Sequence, residues 1–253
     1  MARKHSKQRH SASTNAGHVV IYGLHSVEAA LRNPLRNHHK ILLTSNAAKR
    51  LNETLSSLNP DTLKIETVSV EKIAKFCTQD AVHQGVYLET SPLPELDIDT
   101  ICKTANLVVV LDQVSDPHNV GAILRNCAAF GADALIMTQR HGPKTTPTLA
   151  KTASGALEHV PIIRVPNLVR ALEQLADLHF TRVGLDSEAQ ENLDDLSITK
   201  PIALVLGAEG KGLRRLTTQY CDYLAKLVMP GPIKSLNVSN AAAVALHAIA
   251  RVK

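Results

Sequence analysis

Pro201-Ile202-Ala203-Leu204-Val205-Leu206, followed at once by Gly207-Ala208-Glu209-Gly210-Lys211-Gly212, is the stretch on which the fold turns. An unbroken apolar run of this length, closed by a glycine turn, predicts a strand covered on both faces, as in a parallel sheet. Leu107–Leu111 has the same character. Around these two runs, strand and helix patterns alternate. Strands are expected at Ala134–Thr138, Ile162–Val165, Thr181–Leu185 and Leu224–Met229. Helices are expected from the first loop to Phe130, over 146–157, at Leu168–Leu178, over 212–220 and in an Ala-rich closing segment. The helix ending at Phe130 is followed by Gly131, a favoured residue just past a helix end. Such alternation implies a mostly parallel sheet with helices on both faces. Ligands of such sheets sit beyond the carboxyl ends of the strands.

Upstream, the pattern describes a smaller α/β module over 18–90. Its expected strands are His18–Tyr22, Lys40–Thr44, Thr62–Val68 and Val86–Glu89. Its helices are expected at His25–Leu31, through Leu51 and Leu55, and over Glu71–Phe76. Ser91-Pro92-Leu93-Pro94-Glu95-Leu96-Asp97 has two prolines and no period, which marks a linker, placed at 91–105. The division is therefore a tail over 1–17, a module over 18–90, the linker, and a larger domain over 106–253.

Three loops at the strand ends carry the polar residues. In the first, Asp112 to Asn126, Asp116-Pro117 reads as a helix start with Asp as cap and Pro at the first helical position. Val120, Ile123, Leu124 and Cys127 form an apolar stripe, and Arg125 falls on nearly the opposite face. A capped helix with a solvated arginine explains this loop almost as well as a functional site does. The second loop has glycines in the order GxxGxG, unlike a dinucleotide fingerprint, and no Lys-Ser/Thr pair, unlike a P-loop. A plain glycine turn competes there with backbone shaped for close ligand approach. In the third, Pro230-Gly231-Pro232 forces a turn before Ser235, Asn237 and Ser239 alternate ahead of a helix. Any of the three could be merely a cap; three in a row exceed that need. Ala241–Ala245 has little side-chain bulk and predicts an intimate helix pairing, including one between subunits.

Taken together, Asn119-x-Gly121-Ala122-Ile123-x-Arg125, Leu206-Gly207-x-Glu209-Gly210-x-Gly212 and Met229-x-Gly231-x-x-x-Ser235-Leu236-Asn237-Val238-Ser239 resemble the three motifs of the SPOUT superfamily. More narrowly they look like its TrmH-type branch of RNA ribose methyltransferases, as does Lys151-Thr152-Ala153-Ser154-Gly155-Ala156-Leu157-Glu158. The resemblance covers about 105–253. Tyr22-Gly23-Leu24-His25-Ser26-Val27 and His83-Gln84-Gly85-Val86 resemble the substrate-binding domain of the 23S rRNA guanosine enzymes.

The resemblance implies a deep trefoil knot in the C-terminal parallel-sheet domain, which general topology rules disfavour. It implies S-adenosylmethionine as cofactor, with Gly207, Leu227 and Leu236 giving backbone contacts and Met229 walling the pocket. It implies a homodimer whose sites are completed at the interface. Asn119, Arg125, Glu209, Ser235 and Asn237 would surround the reacting ribose hydroxyl. Arg125 suits a phosphate clamp better than a base, because neutralising a guanidinium is costly. Asn237 and Ser235 would hold the hydroxyl, and Glu209 would orient Arg125 or Asn119. One departure is Leu227-Val228-Met229-Pro230, where the proline falls two places later than in the family's Ile-Pro-Met.

Composition narrows the classes further. The core must be aliphatic, since the chain has three Phe, four Tyr and no Trp. No apolar run approaches the roughly 20 residues of a bilayer span. The four cysteines and twelve histidines show no metal-ligand spacing, so no metal is expected. The net charge of +5, with Arg3, Lys4, Lys7 and Arg9 ahead of the first acid at Glu28, suits RNA, either through a phosphate-binding arm or as a soluble tail. Cytoplasmic 2′-O-methylation of a 23S rRNA guanosine is the leading reading. The alternatives are a tRNA ribose methyltransferase and a non-catalytic RNA-binding protein. A nicotinamide dehydrogenase fails for want of a glycine in Asp112-Gln113-Val114-Ser115.

Overall fold

The computed structural model describes residues 17–58, 63–78 and 81–252, so the expected basic tail lies, apart from Gly17, outside the described residues. The chain begins with β1 (Val19–Tyr22), α1 (Leu24–Arg32), β2 (His38–Leu43), α2 (Ser45–Arg50), α3 (Asn52–Ser56), β3 (Lys64–Thr67), α4 (Val70–Ala74) and β4 (Val86–Thr90). These form a four-stranded sheet in the order β1-β4-β2-β3. Strand β4 runs antiparallel to β1 and β2, and β2 runs parallel to β3. Alternation sorts the side chains. Ile41, Leu43, Val86 and Leu88 join Val27 and Leu31 of α1, while Leu42 and Tyr87 face Ile73 of α4.

The second sheet follows through α5 (Ile98–Cys102), β5 (Leu107–Asp112), α6 (Pro117–Phe130), β6 (Ala134–Thr138), α7 (Pro147–Ala153), β7 (Ile162–Val165) and α8 (Leu168–Asp177). It continues with β8 (Thr181–Leu185), β9 (Glu191–Asn192), β10 (Ile202–Gly207), α9 (Arg215–Gln219), β11 (Tyr223–Lys226) and α10 (Val238–Ala250). All seven strands are parallel, in the order β7-β6-β5-β10-β8-β11-β9. Val109, Leu111, Leu204 and Leu206 face α6, α7 and α10; Val108, Val110, Ala203 and Val205 face α5 and α8. A parallel sheet with helices on both faces is therefore present, and the two quoted apolar runs are its neighbouring central strands. No helix among the described residues is long and apolar enough to cross a membrane.

Some local expectations are corrected. The linker contains α5, capped by the Asp97 side chain, and it buries Ile98 and Cys102 beneath α8. The helix expected over 146–157 stops at Ala153, because Ser154 and Gly155 take positive φ of 52° and 94°. At Gly155 an added Cβ would lie 2.9 Å from Ala29 Cβ, so the break lets α1 pack against this turn. The strand expected to reach Met229 ends at Lys226, where its pairing with β9 ends.

The two sheets share one continuous core along that break. The Ser26 hydroxyl donates to the Ala150 carbonyl at 2.9 Å. Arg36 makes a two-pronged ion pair with Glu158, Nε to Oε2 at 2.7 Å and Nη2 to Oε1 at 2.8 Å. Asn33 Nδ2 donates to the same carboxylate.

Candidate active site

A cavity of about 620 Å³ opens at the carboxyl ends of β8, β10 and β11. The second loop forms one wall. Its turn closes on itself, with the Gly212 N–H donating to the Ala208 carbonyl at 2.9 Å. A Cβ at Gly207 would overlap the carbonyl group of Gly212 and the nitrogen of Leu213. The missing side chain therefore serves the turn itself, while Gly210 and Gly212 supply positive φ. The third loop forms the opposite wall, braced by Lys234, whose Nζ donates to the carbonyls of Gly231 at 2.8 Å and Met229 at 3.3 Å.

Gly207, Leu227, Met229 and Leu236 all line this cavity, as do Glu209, Ser235 and Asn237. Asn119, in the first turn of α6, is joined to them by hydrogen bonds. Its Nδ2 donates to Glu209 Oε1 at 3.0 Å, and its Oδ1 accepts from Asn237 Nδ2 at 3.0 Å. Asn237 Nδ2 also donates to Glu209 Oε1, and the Val238 N–H approaches that oxygen at 3.4 Å. Asn237 caps α10, its Oδ1 accepting from the N–H and hydroxyl of Ser239. One carboxylate oxygen of the second loop thus gathers donors from the first and the third. An ionised carboxylate only accepts, so both amides are oriented unambiguously.

Of the two side chains that Glu209 was expected to orient, it accepts from Asn119, and among the described residues it has no hydrogen bond or ion pair with Arg125. Arg125 stands apart on the exposed face of α6; among the described residues it has no hydrogen-bond or ion-pair partner and does not line the cavity. The expected close packing of the Ala-rich helix occurs within the chain. Ala242 and Ala245 of α10 are buried against α6, and Asn126 Nδ2 donates to the Ser239 carbonyl.

Sequence reasoning missed two features. Asp186 and Ser187, just beyond β8, also line the cavity; their place after a strand end was the signal that found the other loops. Asp112, the last residue of β5, is fully buried and accepts from Arg214 Nε at 2.6 Å, the Arg214 N–H at 3.0 Å and the Thr217 hydroxyl at 2.6 Å. It ties the first loop to the exit of the second. No local pattern names such a partner, because 102 residues separate Asp112 from Arg214.

At 620 Å³ the cavity falls within the roughly 300–1,000 Å³ of small-ligand sites. Its backbone turns and mixed apolar and polar lining suit a flat base joined to a charged tail, as in a nucleoside-derived cofactor. Among the described residues no group of three or more His, Cys, Asp and Glu is placed to hold a metal.

Comparison with known proteins agrees with this chemistry. The profile of the SpoU rRNA Methylase family matches residues 106–247, and that of the RNA 2'-O ribose methyltransferase substrate binding family matches residues 20–96. The 23S rRNA (guanosine-2'-O-)-methyltransferase RlmB of Pseudomonas putida is 38% identical over 237 residues, covering 91% of this chain and 95% of its own. The protein of the same name from Haemophilus ducreyi is 40% identical over 240 residues, covering 92% and 97%. The crystal structure of the SpoU methyltransferase AviRb from Streptomyces viridochromogenes matches with a TM-score of 0.77 at 25% identity, covering 93% of this chain and 90% of that one.

Proposed function

The chain belongs to the SpoU rRNA methylase family, and from that premise we propose that it transfers a methyl group from S-adenosylmethionine to a guanosine 2′-hydroxyl of 23S rRNA. The observation that carries this reading is the convergence of Asn119, Glu209 and Asn237 from three loops at the rim of the cavity. The rRNA relatives match the chain across both sheets, the substrate-binding module included, which favours rRNA over tRNA.

When bound, S-adenosylmethionine supplies an electrophilic methyl on a sulfonium. The residues suited to hold it are Gly207, Leu227 and Leu236 through the backbone and Met229 through its side chain. A ribose hydroxyl is a weak nucleophile at neutral pH, so its proton must be accepted and its oxygen held. Ser235 is exposed at the cavity and has no partner among the described residues, so its hydroxyl is available to the RNA. Asn237 has its amide committed to Glu209, Asn119 and Ser239, and its role is to hold the third loop against the second. Glu209 positions both amides.

Arg125 lies outside the cavity of its own chain, which supports a homodimer in which Arg125 of one protomer serves its partner's site as a phosphate clamp. Val228, Ile233, Leu236 and Val244, exposed in the third loop and on α10, offer the apolar surface for that pairing. The trefoil knot is part of this reading. It is supported by β10 lying between β5 and β8, with β11 beyond β8 while the following α10 returns to α6. The domain division at 18–90 and 106–253 and a cytoplasmic site of action belong to it as well.

The test is transfer of labelled methyl from S-adenosylmethionine to unmodified 23S rRNA and to tRNA, with nucleoside analysis. Labelled 2′-O-methylguanosine from rRNA is expected. Label in tRNA alone overturns the substrate, and label in neither overturns the enzyme reading.

A further inference from the structure

The two motifs of the N-terminal module, Tyr22 to Val27 and His83 to Val86, meet each other on the surface of α7. The Leu24 N–H, at the uncapped start of α1, donates to Gln84 Oε1 at 3.0 Å. Gly23 has φ of 93°, and a Cβ there would come within 3.3 Å of Lys151 Cγ and 3.4 Å of Gln84 Oε1. The aliphatic stem of Lys151 is thus laid across the Gly23 turn beside the Gln84 amide.

The charged end of Lys151 is left over. Among the described residues its ammonium has no carboxylate within ion-pair distance and no hydrogen-bond acceptor, and it is not enclosed. Gln84 is exposed, and its amide nitrogen has no acceptor among the described residues. Glu28 on α1 and Glu158 after α7 have cations of their own, Arg32 and Arg36.

From this point a short path leads to the active site. Thr152, next to Lys151, has its hydroxyl 3.5 Å from His118 Nδ1. His118 is exposed and adjoins Asn119, which is bonded to Glu209 and Asn237. Polar side chains at Gln84, Lys151, Thr152 and His118 therefore lie between the N-terminal module and Asn119 at the active site.

We propose that Lys151, with the Gln84 amide beside it, grips a phosphate of the RNA strand adjoining the methylated nucleotide. The grip links the N-terminal module to the active site. It rests on the RNA-methylation reading above and adds to it the point where the strand crosses between modules. A fixed lysine on a packed stem, with no internal counter-charge, suits a phosphodiester, which brings negative charge and acceptor oxygens together.

The experiment compares the full-length protein with its Lys151→Met and Lys151→Arg variants. Met keeps the packed stem and removes only the charge. Filter binding of an unmodified 23S rRNA fragment is measured over a salt series, with methyl transfer followed on the same samples. Melting temperature and S-adenosylmethionine affinity report on the fold. For Lys151→Met we expect RNA affinity to fall roughly tenfold at low salt and the log–log salt slope to flatten by about 0.7–0.9, one phosphate contact. Lys151→Arg should restore both. A Lys151→Met protein with wild-type affinity and slope, alongside normal wild-type methylation, overturns the grip and leaves the enzyme reading intact. A wild-type protein that neither binds nor methylates the rRNA overturns both.

Discussion

Arg36, in the loop before β2, and Glu158, in the turn before β7, lie 122 positions apart and meet in a two-pronged ion pair whose side chains are 2% and 3% exposed. The same arginine donates through Nη1 to the Ser91 carbonyl at 2.7 Å, so the pair also holds the segment leading out of β4. Losing one partner of such a pair strands a charge away from water. We expect Glu158→Leu to cost about 3–5 kcal/mol in urea denaturation. The double variant Arg36→Met/Glu158→Leu should recover much of the loss. Equal losses in the single and double variants would contradict this account.

Asp112 makes a second long-range tie, to Arg214 and Thr217. In Asp112→Asn the fold keeps a hydrogen-bonding side chain but loses the charge that Arg214 faces. A stability loss of about 2 kcal/mol is expected. It should come with weaker S-adenosylmethionine binding in calorimetry, because the exit of the second loop is loosened. Unchanged cofactor affinity would separate Asp112 from the site.

Glu209 gathers the amides of Asn119 and Asn237 on one oxygen. Glu209→Ala should leave the cavity open to cofactor while the two amides lose their common acceptor. A fall in kcat of about a hundredfold is expected for misplaced positioning groups, with a much smaller change in cofactor affinity. A parallel loss of cofactor binding would assign Glu209 to the cofactor instead.

Two glycines of the same loop should respond differently. Gly207→Ala drives a methyl into the Gly212 carbonyl, so cofactor binding should fall by more than tenfold. Gly210→Ala meets open space and bears only the cost of positive φ, about 1 kcal/mol of stability. Melting curves and calorimetry on the pair check this order.

Burial pushes the Cys127 thiol up to about 12 from its ordinary 9.0. The folded form keeps a proton that the unfolded chain gives up above about pH 9, so protonated Cys127 favours the fold below that pH. The contribution drains away as pH rises from about 9 towards about 12. Urea midpoints measured across that range should fall, and replacing Cys127 by Ala should flatten the fall. At pH 8, alkylation of Cys127 should proceed only as fast as the protein opens.

Periodicity and turn chemistry are local, and the elements they govern were legible in the chain. Leu107–Leu111 and Pro201–Leu206 had to be covered strands, since an unbroken apolar run leaves no face for water. Asp116-Pro117 and Gly131 bracket α6 by capping chemistry that residues two to five positions apart complete. The positions of Glu209, Ser235 and Asn237 on loops beyond strand ends followed from the same reading. What local pattern could not supply was partnership across the chain. Whether β10 lies between β5 and β8, which donors Glu209 collects, and whether Arg125 faces its own cavity depend on contacts over tens to more than a hundred residues. The break after Ala153 also belongs to this class. Ser154 and Gly155 leave the helix with positive φ, and the turn they make is packed against Ala29 of α1, encoded more than a hundred residues earlier. The sequence by itself determined the covered central strands, the capped helix α6 and which loops carry polar chemistry, while α5, the end of α7 and the end of β11 escaped it. Only tertiary packing decided which of those polar groups face one another, because that choice is made by the shape of the assembled core.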